Sequence, residues 1–181
     1  MDNMETTSER PVSKSKQEII REAKRIEEAT LYSSKGHLVA ARIWSNFHLG
    51  IGFLLVVLTA TAASLALSSF DQKHTMAVVL YIIVAVLSSV LTFLNGNERA
   101  GSHLIAGNHY DGLMNRVRVF WTIECWHEES EGVLLNKLQD LEAERNRLNL
   151  SCPQIPYWAY RIAKRGIMAG EASFEVDKEC K

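Results

Sequence analysis

Side chains able to do covalent or metal chemistry are few in this chain. Their densest gathering is Glu124, Cys125, His127, Glu128 and Glu129. On a helix Cys125 and His127 point about 200° apart, so one ion cannot easily take both. The neighbouring carboxylates read as a solvated face. Cys125, Cys152 and Cys180 are odd in number, far apart and without zinc spacing, which fits reduced thiols rather than a disulfide or metal framework. No glycine loop cradles a phosphate, no Ser or Cys nucleophile motif occurs, and no His-Glu-x-x-His helix is present. The sequence therefore predicts no enzyme, no metal and no cofactor. A net charge of −1 over 181 residues offers no basic excess for nucleic acid.

Two polar sets remain. His48 and His103, with Glu98 and Arg42, are spaced so that an antiparallel pair of helices would bring His48 to Glu98 and His103 to Arg42. Histidine titrates near neutrality, so such a set is a candidate gate or proton-sensitive latch. The plainer alternative is polar glue between helices. Thr61, Ser64 and Ser68 form one hydroxyl line, and Ser88 with Thr92 another. They are candidate pore-lining residues, or donors to neighbouring helices and to their own backbone.

Both sets take their meaning from the surrounding chain. Leu49–Phe70 and Met76–Leu94 are apolar and free of charge, separated only by residues 71–75. A helix crosses a hydrocarbon core in roughly 20 residues, and in lipid only structures that satisfy every backbone group internally survive. Five residues cannot recross a bilayer, so the expected arrangement is an antiparallel hairpin. Lys35, Arg42 and Arg99 flank it against Lys73 in the turn, which predicts an external turn and two cytoplasmic termini. No leader with an apolar core opens the chain, so the first span is expected to serve as its own insertion signal.

The rest divides accordingly. Residues 1–13 read as a disordered N-terminus, with Ser13 or Ser15 as helix cap. Residues 14–48 form a helix leading into the membrane, 49–70 the first span, 71–75 the turn and 76–94 the second span. Residues 95–130 continue that second helix, 132–150 form a third with Leu134, Leu138, Leu141 and Leu148 as a heptad seam and Arg145 in one slot, and 151–170 make a Pro, aromatic and basic segment before a mobile tail, 171–181. Tyr157, Trp158 and Tyr160 with Arg161 and Lys164 suit either a headgroup layer or an anchor on the stalk.

Small residues mark where helices approach closely in lipid. One stripe holds Gly52, Thr59, Ala62 and Ala66; the other holds Ala85, Ser89, Gly96, Ala100 and Gly107. Either they face each other within one hairpin, or one packs on neighbouring protomers or lines a pore. A register in which facing residue numbers total about 145 sets Lys16 near Glu128 and Glu129, Arg21 near Glu124, and Glu27 and Glu28 near Arg116 and Arg118. The fold class is thus an all-α membrane protein: an antiparallel two-transmembrane helical hairpin extended into a long cytoplasmic helical stalk, and oligomeric.

Helix, two spans, helix and a basic-aromatic end, in that order, resemble the SLATT family of bacterial conflict systems, whose two-transmembrane effector domains accompany SMODS nucleotidyltransferases and SLOG nucleotide sensors. The carrying residues are Tyr32, His37 and Ala40 in YSSKGHLVA, Trp44 and Gly52, then Ala100, His103, Gly107, Tyr110 and Leu113 in AGSHLIAGNHYDGL, and the closing PQIPYWAYRIAKRGIMAGE. The resemblance spans about residues 15 to 171, on order and spacing more than on any motif. It implies a pore-forming anti-phage effector that permeabilises the inner membrane, its partners being the lipid bilayer, further copies of itself (most simply four or more) and a cytosolic nucleotide synthetase, sensor or reverse transcriptase. A non-conducting adaptor that recruits cytosolic proteins is the alternative.

Overall fold

The computed structural model describes residues 13–67, 71–127 and 130–173, and among these it is helical without strands. Helix α1 runs unbroken over Lys14–Ala66, 53 residues in which no proline or paired glycine interrupts the ladder. Ser13 caps it: its hydroxyl accepts the Lys16 N–H at 3.1 Å and its carbonyl the Gln17 N–H. Helix α2 covers Asp71–Leu94 and α3 covers Gly96–Val119. A π turn, Phe120–Glu124, leads into the short α4, Cys125–His127. Helix α5 spans Glu131–Ser151 and α6 spans Tyr157–Met168. Two of these helices are long and apolar enough to cross a membrane, and only 6% of either apolar window is buried by the rest of the chain.

Two expected boundaries move. Residues 71–75 are helical rather than a turn, because nothing between Asp71 and Thr75 breaks a helix and an acidic residue suits its first turn. Residues 95–130 are not one continuous helix. Asn95 has φ +44°, a left-handed conformation that asparagine tolerates better than most side chains. The Arg99 Nε–H donates to the Leu94 carbonyl at 2.9 Å, and the Asn95 amide donates to the Glu98 carboxylate.

The break resets the phase of the packed face. On α2 the less exposed positions are Ala77, Leu80, Val84, Leu87, Leu91 and Leu94, at helical steps of three and four. Beyond Asn95 they include the series Gly96, Ala100, His103 and Gly107. Carried back through an unbroken helix, that second series would run through Thr92, Ser89 and Ala85, which are exposed instead.

The chain divides into two compact units. One holds residues 1–31 and 109–151. Its core joins Ile19, Ala23 and Ile26 of α1 to Leu113 and Val117 of α3, Phe120, Cys125, and Leu134 and Leu138 of α5. Leu141 and Leu148 pack against it, so the expected seam faces this core. Arg145, in the seam's polar slot, is half-buried. The π turn adds one residue between Phe120 and Cys125, and that insertion turns both side chains inward.

Arg118 Nε meets Glu27 at 3.0 Å, as the antiparallel register requires, and the Trp121 indole donates to the other Glu27 oxygen. The remaining expected pairs are rerouted. Arg21 pairs with Glu18, Glu124 with Lys137, and Arg116 with Glu144. A two-helix register left out α5, whose Lys137 and Glu144 compete for the same partners. Glu128 and Glu129 lie outside the described residues.

The second unit comprises residues 32–108 and 152–181. There α3 packs on α1 in antiparallel sense, Leu38 against Gly107 and His48 with Trp44 against Gly96. Helix α6 buries Ala159 and Ala163, and Tyr160 meets Tyr32 with ring centroids 6.2 Å apart. Of the two roles open to the aromatic-basic segment, this describes an anchor on α1, with Trp158, Arg161 and Lys164 left outside.

Candidate functional site

The second unit's polar interior is built on backbone proximity. A Cβ at Gly107 would stand 2.9 Å from Leu38 Cγ and 3.4 Å from its backbone nitrogen. Such an approach is open only to glycine. It lets α3 close on α1 and seals His37 and His103 between them, 2% and 6% exposed. Their Nδ1 atoms lie 2.9 Å apart, with ring centroids at 5.1 Å. One Nδ1 must donate and the other accept, an arrangement that two neutral imidazoles of opposite tautomer satisfy. Burial, and then His103, push His37 from 6.5 down to about 4. Burial, and then the Arg99 cation, lower His103 as well.

This pair replaces the expected latch. His103 meets His37 rather than Arg42, which is exposed. His48 lies against Gly96, its Nδ1 buried without a partner among the described side chains, while Glu98 accepts from Asn95 three residues away. The local Asn95–Glu98 bond outcompetes the cross-helix one because the break has already brought its partners together. His37 stood in the sequence as one histidine among several. The missed signal was the Asn95-Gly96 dipeptide, a turn marker inside an apolar-to-polar helix.

Of the small-residue stripe, Ala62, Gly96, Ala100 and Gly107 are buried, Gly52 and Ala66 half-buried, and Thr59, Ala85 and Ser89 exposed. An added Cβ at Gly52 would meet nothing within 4 Å. Each candidate hydroxyl with an assigned bond donates to its own helix four residues back. Thr61 reaches Val57 at 2.8 Å, Ser64 reaches Ala60 at 3.0 Å and Thr92 reaches Ser88 at 2.9 Å. Thr59 and Ser89 do the same to Leu55 and Ala85. All five are exposed, as is Ser88; Ser68 lies outside the described residues. Donors bonded in this way can face lipid, a second copy or water without leaving a proton unpaired.

Cys125 and His127 fall on opposite sides, Cys125 buried and His127 exposed with Nδ1 at the Ile123 carbonyl. Burial pushes the Cys125 thiol up, against the pull of Lys16. Among the described residues no group of three His, Cys, Asp or Glu side chains could hold a metal ion. The geometry is that of helix packing and proton-sensitive burial. No family model, curated protein or solved structure matches the chain.

Proposed function

We propose that the chain is a two-span membrane effector of SLATT type, inserted as an antiparallel hairpin with both termini in the cytoplasm of a bacterial cell. Copies of it assemble to permeabilise the inner membrane when a cytosolic partner signals. The observation that carries this is that only 6% of each apolar window is buried, since a soluble core helix would be covered. Two helices enclose no aqueous path, so conduction requires a ring of copies, most simply four or more. Thr61, Ser64, Ser88 and Thr92 are the outward polar positions that such a ring would turn to its axis. With no charge inside the spans, selectivity would fall to the mouths.

The test is dye and ion leakage from liposomes holding the purified full chain, with and without extract from phage-challenged cells. Leakage that Ser64→Leu or Thr92→Leu abolishes without loss of assembly supports the channel. Silence under every condition refutes it.

A second reading, the non-conducting adaptor, draws on one feature of the first unit. A groove of about 560 Å³ between α3 and α5 is floored by Phe120 and Leu141 and rimmed by the Arg116–Glu144 and Lys137–Glu124 pairs. Partner pull-down abolished by Leu141→Arg in a chain that never leaks would favour it.

A further inference from the structure

The second unit also holds a cleft of about 490 Å³ where α2 ends, α3 begins and the extended strap Pro153–Pro156 crosses. Its composition changes from one side to the other. Phe93 and Leu94, the last residues of the apolar helix, form one wall; Glu98, Arg99 and Ser102 form the next; Trp44 and Gln154 close it. Phe93 is 87% exposed, so the apolar wall opens outward.

Depth identifies the surroundings. Arg99 stands five residues past Leu94, and Trp44 five before Leu49. At about 1.5 Å per residue each lies roughly 7 Å beyond the apolar segment. The headgroup layer extends about 5–7 Å beyond the hydrocarbon on each side. The cleft therefore lies at headgroup level, and its apolar wall lies at the start of the acyl chains.

Charge narrows the occupant. Glu98 and Arg99 are adjacent in sequence, both line the cleft, and among the described residues neither has an ion-pair partner. Arg99 is fixed by its Nε bond to the Leu94 carbonyl and by stacking over Trp44, 5.4 Å from the ring centre. Its terminal nitrogens are left to meet an anion. The Glu98 carboxylate, steadied by the Asn95 amide, is left to meet a cation. A ligand that supplies phosphate to one and ammonium to the other, on an acyl chain running along Phe93, satisfies the whole cleft.

We infer that this cleft binds a zwitterionic glycerophospholipid, with its phosphate on Arg99 and its primary ammonium on Glu98, in the manner of phosphatidylethanolamine. The inference rests on the membrane reading above. An anionic phosphatidylglycerol would satisfy Arg99 but set its own uncharged glycerol against the Glu98 carboxylate. The preference thus comes from Glu98 and the overall hold from Arg99.

The full chain, equilibrated in mixed micelles with equal phosphatidylethanolamine and phosphatidylglycerol and then gel-filtered, is assayed for retained lipid by mass spectrometry. The expected result is about a five- to tenfold preference for phosphatidylethanolamine, roughly the difference between a charge-assisted hydrogen bond and a neutral one. Glu98→Gln should bring the ratio near parity. Arg99→Gln should cut retention of both lipids about tenfold, with unchanged helical circular dichroism as the folding control. Parity in the wild type, or an unchanged ratio in Glu98→Gln, overturns the site. Alkaline-carbonate extraction of wild-type membranes separates the two failures. A chain that stays in the pellet yet shows parity loses only this site, whereas a chain released to the supernatant loses the membrane reading as well.

Discussion

Acidification should loosen the second unit, and the His37–His103 pair sets the size and window of the effect. In the unfolded chain His37 takes up a proton below 6.5; in the folded one it does so only near pH 4. The neutral pair's contribution is complete above the upper value and is lost as pH falls through the interval. Between pH 7.5 and 5 the shift corresponds to about 2 kcal/mol from His37. His103, lowered by burial and by Arg99, acts in the same direction. For a chain of this length that is a fall of about 4–8 °C in melting temperature. The Glu131 carboxyl, held below 4.5 by hydrogen bonds from Ser13 and Ser15, loses its contribution only at lower pH and stays outside the window. Melting followed by circular dichroism in detergent at the two pH values measures the effect. The double variant His37→Leu with His103→Leu removes both titrating groups and both polar atoms, and should melt alike at either pH. His37→Leu alone strands the His103 Nδ1 and should cost about 1–3 kcal/mol at neutral pH. A wild-type melting temperature that is flat across the window, or a double variant that keeps the wild-type slope, refutes the reasoning.

Four further outcomes follow from the packing. Gly107→Ala should destabilise by about 1–3 kcal/mol in thermal melts, because the new methyl meets Leu38 at 2.9 Å, whereas Gly101→Ala, with open space around it, should stabilise by about 0.5–1 kcal/mol. Asn95→Gly should melt like wild type, while Asn95→Val, forced to φ +44°, should lose about 1–2 kcal/mol. In a Cys180→Ser background, native thiol titration should label half-buried Cys152 quickly and buried Cys125 only on unfolding. With Cys152 and Cys180 replaced by alanine, oxidative crosslinking in membranes should join copies through Ala85→Cys and not through Leu87→Cys; the reverse pattern counts against an interface on the exposed α2 stripe.

Much of this architecture was legible in the residues, and what was missed has two physical causes. The apolar windows, the leucine seam of α5 and the start of α1 at Ser13 follow from composition, period and capping chemistry, which act over many residues at once. The Asn95 break and the π turn each change helical phase by a residue or so. A periodic count cannot register such a change until packing shows which face is covered. The missed phase misplaced His48, Arg42 and the upper half of the second stripe, while the register still held farther along at Glu27 and Arg118. Ion pairs failed for a different reason. Exposed pairs differ by only about 0–1 kcal/mol, so Glu124 and Arg116 went to whichever opposite charge α5 brought nearer.

The phase change at Asn95 also bears on assembly. Before the break, α2 directs Leu80, Val84, Leu87 and Leu91 to its less exposed side, and after it α3 directs Gly96, Ala100 and Gly107 inward. In water the leucine line would be the stronger adhesive. In lipid it has no such advantage, because the acyl chains are as apolar as leucine, and close approach through small side chains becomes the stronger drive. The break thus spends the glycine and alanine stripe on intrachain packing outside the apolar segment. Within that segment it leaves Ala85, Ser89 and Thr92 facing outward, with the Ser89 and Thr92 donors already bonded to their own backbone. A helix so arranged can separate from lipid and close on a second copy without uncovering an unpaired polar group. The assembly proposed above would draw on that property, and one left-handed asparagine supplies the offset.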